Sequence, residues 1–405
     1  MRRALAAVLA SFSLVAAAPA AAAGRAESPL GTRLAKALRV PHVSPARSAA
    51  LAIDLTTGRA LFSHNESLPL APASNEKLAV TYAVLTALGP TFRLETRVDE
   101  DGEREGTTLR GDVYLVGGGD PTLSVADLNA LARAIRTAGI SRIAGSVLGD
   151  ESLFDARRMV EGWKASFYID ESPPLSALIV DRARYLGHVS REPALAAALL
   201  FRDALRRAGV RVLGGVDVAE SPSDAVSAAS VHSPTLARIV EQMDLESDNF
   251  TAELLLKQLG LLQSTRGTST AGAQTVMRLL GADGIPLTGV RIVDGSGLSQ
   301  LDRLTADALV AIVRTMWNDP QLRPVLLRAL PVAGVSGTLH DRMRTPPLRG
   351  NVRAKTGTTS QASALTGLVR DRFAFAIVQN GHPLSYWWAR VAQDRFAKVL
   401  ATEKL

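Results

Sequence analysis

Cysteine is absent from the 405-residue chain, which excludes disulfides and every thiolate metal site. Stability must therefore come from burial, and a chain of this length can hold a core large enough for that. Lysine is nearly as scarce, with seven residues against 39 arginines. No block of basic residues stands out, so the formal charge of +7, or +5 without Arg2 and Arg3, is dispersed. Nothing resembling a nucleic-acid motif accompanies it. The histidines (His42, His64, His188, His232, His340 and His382) are scattered without a metal spacing such as His-x-x-x-His. The triple glycine Gly117-Gly118-Gly119 is not followed by Gly-Lys-Ser/Thr, so it reads as a turn and not as a phosphate cradle. No metal and no cofactor is implied. What remains is an ordinary globular composition, 47% hydrophobic and 21% charged, with length for two or three domains.

Only one long apolar run is present. Arg2 and Arg3 form a basic start, Ala4 to Ala17 an apolar stretch, and Ala21 to Ala23 a small-residue cleavage region. Residues 1–23 read as a signal peptide, too short and too weakly flanked for a membrane span. The expectation is an exported protein of the cell wall or periplasm, at most loosely membrane-associated, with no transmembrane anchor in the mature chain.

Ala49 to Leu55 and Ala60 to Ser63 read as paired strands joined by a turn at Thr57-Gly58. A helix follows from Ser74 and stops at Gly89-Pro90. The middle of the chain holds short strand-like pieces, DVYLVGGG and SVLGD, with helices at Val125 to Ala138 and Pro193 to Ala208. Helices return at Thr235 to Met243, Asn249 to Leu262 and Gly272 to Leu280. Three strands then form a meander (Val352 to Thr356, Ser363 to Val369, Phe373 to Gln379), and a helix from Leu384 to Lys398 follows. Both ends of the chain contribute to one antiparallel sheet flanked by helices. The fold class is α+β, with a catalytic domain of residues 24–92 plus 231–405 and an inserted region at 93–230.

Three short motifs carry chemistry. In Ser74-Asn75-Glu76-Lys77 the serine and lysine share one helix face. A serine hydroxyl needs a neighbouring base, and a buried lysine near a helix N-terminus can serve as one. Ser74 alone could be a helix cap, but Lys77 is the only lysine with a serine three residues before it. Ser247-Asp248-Asn249 lies between two helices, where a serine can relay protons and an asparagine can pair with an amide; a capping turn is the plainer alternative. Lys355-Thr356-Gly357, followed by Thr358, ends a strand. Lysine and threonine there can bind a carboxylate, and glycine admits a close ligand. An ordinary strand end is the alternative. Their occurrence in this order, at a helix start, an interhelical loop and a strand end, is the signature shared by penicillin-binding proteins and class A β-lactamases.

With these motifs the chain resembles the class C low-molecular-mass penicillin-binding proteins, the D-alanyl-D-alanine carboxypeptidase/endopeptidase family. Gly117 to Leu123 (GGGDPTL), Ser176 to Asp181 (SALIVD), Asp294 to Ser299 (DGSGLS) and Ala354 to Thr358 (AKTGT) extend the likeness across nearly the whole mature chain. The resemblance implies a penicillin-recognising fold. It makes Ser74 the acylated nucleophile, Lys77 its base and Ser247 the proton relay to the leaving group. Asn249 would hold the substrate backbone, while Lys355, Thr356, Gly357 and Thr358 would form the carboxylate site. The N–H groups of Ser74 and Thr358 would make the oxyanion hole. Asp181 would meet a cation of the peptide stem, or pair on the surface with Arg182. Peptidoglycan peptides would be substrates and β-lactams covalent inhibitors.

Three other readings compete. A class A β-lactamase deacylates through a glutamate, and no Glu-x-x-Leu-Asn is present. An esterase of the same superfamily does not account for the insert and GGGDPTL. A silent wall-binding protein would need no nucleophile–base pair.

Overall fold

A computed structural model describes residues 28–404. The expected signal peptide at 1–23 lies outside the described residues. The main sheet has five antiparallel strands in the order Val352–Thr358, Ala362–Val369, Phe373–Asn380, Ser48–Asp54 and Ala60–His64. Its register pairs distant parts of the chain, with Leu51 opposite Ala376 and Thr356 opposite Leu365. The meander and the first hairpin are thus one sheet, as the strand pattern led one to expect.

Two strands of this sheet have no exposed position: Ser48–Asp54 and Ala362–Val369 are buried throughout. Both faces are covered, so these strands read as continuous apolar runs instead of alternating ones. Ala50 and Ala52 point to a core with Leu34, Ala37, Phe375, Phe396 and Leu400, beneath helices Pro29–Leu38 and Tyr386–Ala401. Ala49, Leu51 and Ile53 alternate to the opposite face. There they meet helices Lys77–Leu88, Asn249–Gly260 and Ala306–Asn318.

Helix Lys77–Leu88 is apolar all round, and nine of its residues, Lys77 to Leu85, are buried. It ends at Gly89, whose φ of 82° only glycine adopts readily. The helix Ala306–Asn318 had no counterpart in the expected elements. Its start is nonetheless marked by Thr305, whose hydroxyl accepts from the Ala308 N–H at 3.0 Å.

Glu95 to His232 build a second, seven-stranded sheet. Its backbone is the long hairpin Glu95–Glu105/Thr108–Val116, with Val226–His232 antiparallel on one side and Val147–Asp150 parallel on the other. Helices Val125–Thr137 and Pro193–Arg207 cover it, giving a separate core around Leu115, Leu128, Leu131, Ile135 and Phe201. The GGGDPTL and SALIVD segments lie side by side here: the Gly119 N–H donates to Ala177 and the Asp181 N–H to Leu123. Between them residues 151–180 return to the first sheet's helices, where Phe154, Leu175 and Ile179 pack on Phe250 and Leu254.

Phe201 is fully buried in the second core. Phe201→Ala should cost about 3–5 kcal/mol by ring removal and cavity formation, measured by urea unfolding. A loss below about 1 kcal/mol would mean that this core is loosely packed.

Candidate active site

The short turn Ala73–Glu76 leads into helix Lys77–Leu88 and carries Ser74. Ala73 has a φ of 48°, a left-handed conformation that costs a non-glycine residue roughly 1–2 kcal/mol. Its neighbours hold it there. The Asn75 side-chain amide donates to the Lys355 carbonyl at 3.1 Å, tying the turn to the strand Val352–Thr358. Two glycines let other backbone approach. A Cβ on Gly297 (φ 81°) would sit 1.9 Å from the Ala73 carbonyl oxygen. One on Gly357 would meet Pro72, Asn75 and Ala73 at 2.9–3.1 Å. In this structure Gly357 makes room for the nucleophile turn, where the sequence suggested room for a ligand.

Lys77 is completely buried. Its ammonium donates to Ser74 Oγ at 3.0 Å, to Asn249 Oδ1 at 2.8 Å and to the Ser296 carbonyl at 2.7 Å. Burial lowers its pKa, while Asp294, Asp244, Glu253 and Asp248 pull it back up. Lys355, also fully buried, donates to Ser247 Oγ at 2.8 Å. Burial, reinforced by the charge of Lys77 and opposed by Asp244, brings its pKa down to about 7. Ser247 ends the helix Leu236–Glu246 in a left-handed conformation (φ 59°, ψ 39°), and Asn249 begins the next helix. A tripeptide from an interhelical turn thus faces both lysines. The Thr356 hydroxyl is hydrogen-bonded to that of Thr338 at 2.7 Å.

These groups open on a cleft of about 700 Å³ lined by Ser74, Ser247, Asn249, Thr356 and Thr358. The second region supplies one wall. Lys164 bridges to Ser360 Oγ at 3.0 Å, Phe167 lines the cleft, and the Asn249 amide donates to the Glu171 carbonyl at 3.3 Å. Trp387, 72% exposed, and Arg390 stand on the far wall. Asp181 is not part of this lining; it is exposed and accepts from the Val125 N–H at 3.4 Å. Its neighbour Arg182 is outside this lining too, and pairs with the turn between Ser247 and Asn249. The guanidinium donates to both oxygens of Asp248 at 2.8 and 3.0 Å and stacks 5.0 Å from the Phe250 ring. Burial opposes ionisation of Asp248, but Arg182 and Thr251 outweigh it and the pKa falls.

Sequence reasoning missed Arg182, Lys164, Glu171 and Glu253. Glu253 left a trace, since it follows Asn249 by one helical turn and shares its face. Among the described residues, no group of three or more His, Cys, Asp or Glu is placed to hold a metal.

A serine hydroxyl against a buried, pKa-lowered lysine can act as nucleophile and base, and a second lysine beside a serine and threonine can bind a carboxylate. The sequence pattern of the D-Ala-D-Ala carboxypeptidase 3 (S13) family matches residues 30–192 and 185–402. The chain belongs to that family. It is a serine-type D-alanyl-D-alanine carboxypeptidase. It is 30% identical to the D-alanyl-D-alanine carboxypeptidase of Actinomadura sp. (strain R39), over 85% of this chain and 80% of that one. It is 33% identical to the carboxypeptidase DacB of Mycolicibacterium smegmatis, over 92% and 83%. In fold it matches the crystal structure of penicillin binding protein 4 (dacB) from Haemophilus influenzae. The TM-score is 0.79 at 22% identity, covering 91% of this chain and 98% of that one.

Arg182→Ala should leave Asp248 with Thr251 as its remaining side-chain partner and loosen the turn that carries Ser247 and Asn249. Serine acylation should slow on the order of ten-fold, less than the roughly 10²-fold of a full ångström misplacement. Stopped-flow acylation rates with a chromogenic β-lactam measure this; an unchanged rate would assign the ion pair to surface decoration.

Proposed function

We propose that this carboxypeptidase works through an acyl-enzyme at Ser74 with Lys77 as base. The observation that carries the reading is the 3.0 Å contact between the fully buried Lys77 amine and Ser74 Oγ, which lines the cleft. Ser74 Oγ attacks the carbonyl of the penultimate D-alanine and its proton passes to Lys77. The negative oxygen that forms is met by the N–H groups of Ser74 and Thr358. Each such donor is typically worth about 10²–10³ in rate. The tetrahedral intermediate then collapses, and the departing D-alanine nitrogen takes a proton through Ser247. Water, activated by the same lysine, hydrolyses the ester and frees Ser74. Asn249 holds the substrate backbone. Lys355, Thr356, Gly357 and Thr358 hold the terminal carboxylate. Asp181, exposed and outside the cleft lining, meets a cation of the stem peptide.

The same acylation makes the protein a covalent target of β-lactams, and cleavage of D-alanyl cross-links, an endopeptidase reaction, follows the same chemistry. Peptidoglycan peptides are its substrates. Residues 1–23 direct export to the cell wall or periplasm; among the described residues no helix is long and apolar enough to cross a membrane. Residues 24–92 with 231–405 form the catalytic unit. Residues 93–230 are an insert that governs how polymeric substrate reaches the cleft.

Incubation with benzylpenicillin should add one acyl group to the mature protein and none to Ser74→Ala, read by intact-mass spectrometry. Wild-type protein should also release D-alanine from a pentapeptide, which a β-lactamase would not; a folded wild type that takes no adduct overturns the reading. The pH dependence follows from Lys355. As pH rises through about 7 this lysine loses its proton and its hold on the substrate carboxylate. kcat/KM for a D-Ala-D-Ala peptide should therefore fall on the alkaline side, through a rise in KM rather than a loss of kcat. A profile level through that range removes Lys355 from carboxylate binding.

A further inference from the structure

The DGSGLS segment belongs to the likeness with the family but has no role in the chemistry above. In the structure it is a turn wrapped around buried carboxyl groups. Asp294 accepts from the N–H groups of Gly297 and Ser299 at 2.7 and 2.6 Å, and from Trp163 Nε1 at 2.8 Å. Asp302 accepts from the Val293 N–H at 2.7 Å. Glu253, with no exposed surface, reaches across from helix Asn249–Gly260. Both of its oxygens accept from the Gly295 N–H at 3.0 and 3.1 Å, and one from the Ser296 N–H at 2.8 Å. The carbonyl of that same Ser296 makes the shortest contact Lys77 has, at 2.7 Å. One helix therefore reaches the lysine directly through Asn249 Oδ1 and, at one remove, through Glu253, which fixes the two N–H groups just before the Ser296 carbonyl while Asp294 holds the Gly297 N–H just after it.

We infer that Glu253 is a positioning residue for Lys77, fixing the Gly295–Ser296 backbone from which the Ser296 carbonyl meets the amine. The inference rests on the reading of Lys77 as the base for Ser74. A glutamine of the same shape has one acceptor oxygen, and its NH₂ would face an N–H, so this backbone shifts and the Ser296 carbonyl with it. The other titratable groups facing Lys77 are Glu76 from its own turn, Asp244 and Asp248 from the preceding helix and its turn, Asp294 from the DGSGLS turn, and Lys355 from the strand. Each stays in place in the variant. Burial raises Glu76, whose carboxyl oxygens have no hydrogen-bond partner, well above the usual carboxyl range, and burial beside Asp294 raises Glu253 itself to about 8.

The test is the pH profile of benzylpenicillin acylation for wild type, Glu253→Gln and Glu253→Asp, alongside their melting temperatures. Glu253→Gln should acylate at least about ten-fold more slowly, the scale of a sub-ångström misplacement. Its acid limb should move to lower pH, because an ammonium that loses the Ser296 acceptor gives up its proton more readily. Glu253→Asp keeps the carboxyl but not the reach; its rate should fall and its limb move the same way, with the melting temperature kept. A Glu253→Gln rate within two-fold of wild type, or a lower rate with an unmoved limb, overturns the inference and leaves Glu253 a packing residue. If Glu253→Gln does not fold, Glu253→Asp decides: a wild-type rate overturns the inference, and a roughly ten-fold loss at unchanged melting temperature supports it. Absence of any wild-type adduct would instead overturn the reading of Ser74 and Lys77.

Discussion

An amine taken out of water must either find acceptors or give up its proton, and the site is arranged around that choice for Lys77. Burial drives the proton off; four carboxyl groups oppose burial, and three oxygens from separate parts of the chain fix where the amine points. The glycines at 297 and 357 give room to the strained Ala73 and the turn that leads into this lysine, and the left-handed Ser247 meets the second lysine, Lys355. Backbone strain at functional positions persists when the surroundings over-determine it, and here the surroundings are the sheet edge, two helices and the DGSGLS turn.

Lys355 is held by the same rules to a different end. It sits on a strand, so its amine is rigidly placed, and the positive charge of Lys77 nearby helps to lower its pKa. Two lysines in one low-dielectric site cannot both hold protons cheaply. Their titrations therefore belong to the pair and not to either lysine alone.

Much of this was legible in the sequence. The strand ends were, because apolar runs bounded by turns have few other uses: Phe373 to Gln379 was expected and Phe373–Asn380 is found. Ser74, Lys77, Ser247, Asn249 and Lys355 were legible because three spaced motifs occurred in order, and the structure brings all five together. Ser296 was not, because its contribution is a backbone carbonyl, which every residue has. Lys164 and Glu171 lie on an irregular stretch with no periodicity to place it. Arg182 was named only as a surface partner of Asp181; its true partner, Asp248, is 66 residues away, and no local pattern reports such a contact.

The main sheet has a consequence for the order of assembly. Ser48–Asp54 pairs locally with Ala60–His64 but finds its other neighbour in Phe373–Asn380, more than three hundred positions later, and helices Pro29–Leu38 and Tyr386–Ala401 close over the same face. Loop closure of that span precedes any reward from pairing. The second sheet, by contrast, draws every strand from Glu95 to His232 and has its own core. As the chain emerges from the ribosome, the accessory region can condense first while the early strands wait. The cleft is then completed last and all at once, since the turn that carries Ser74 has no strand to be tied to until Val352–Thr358 docks.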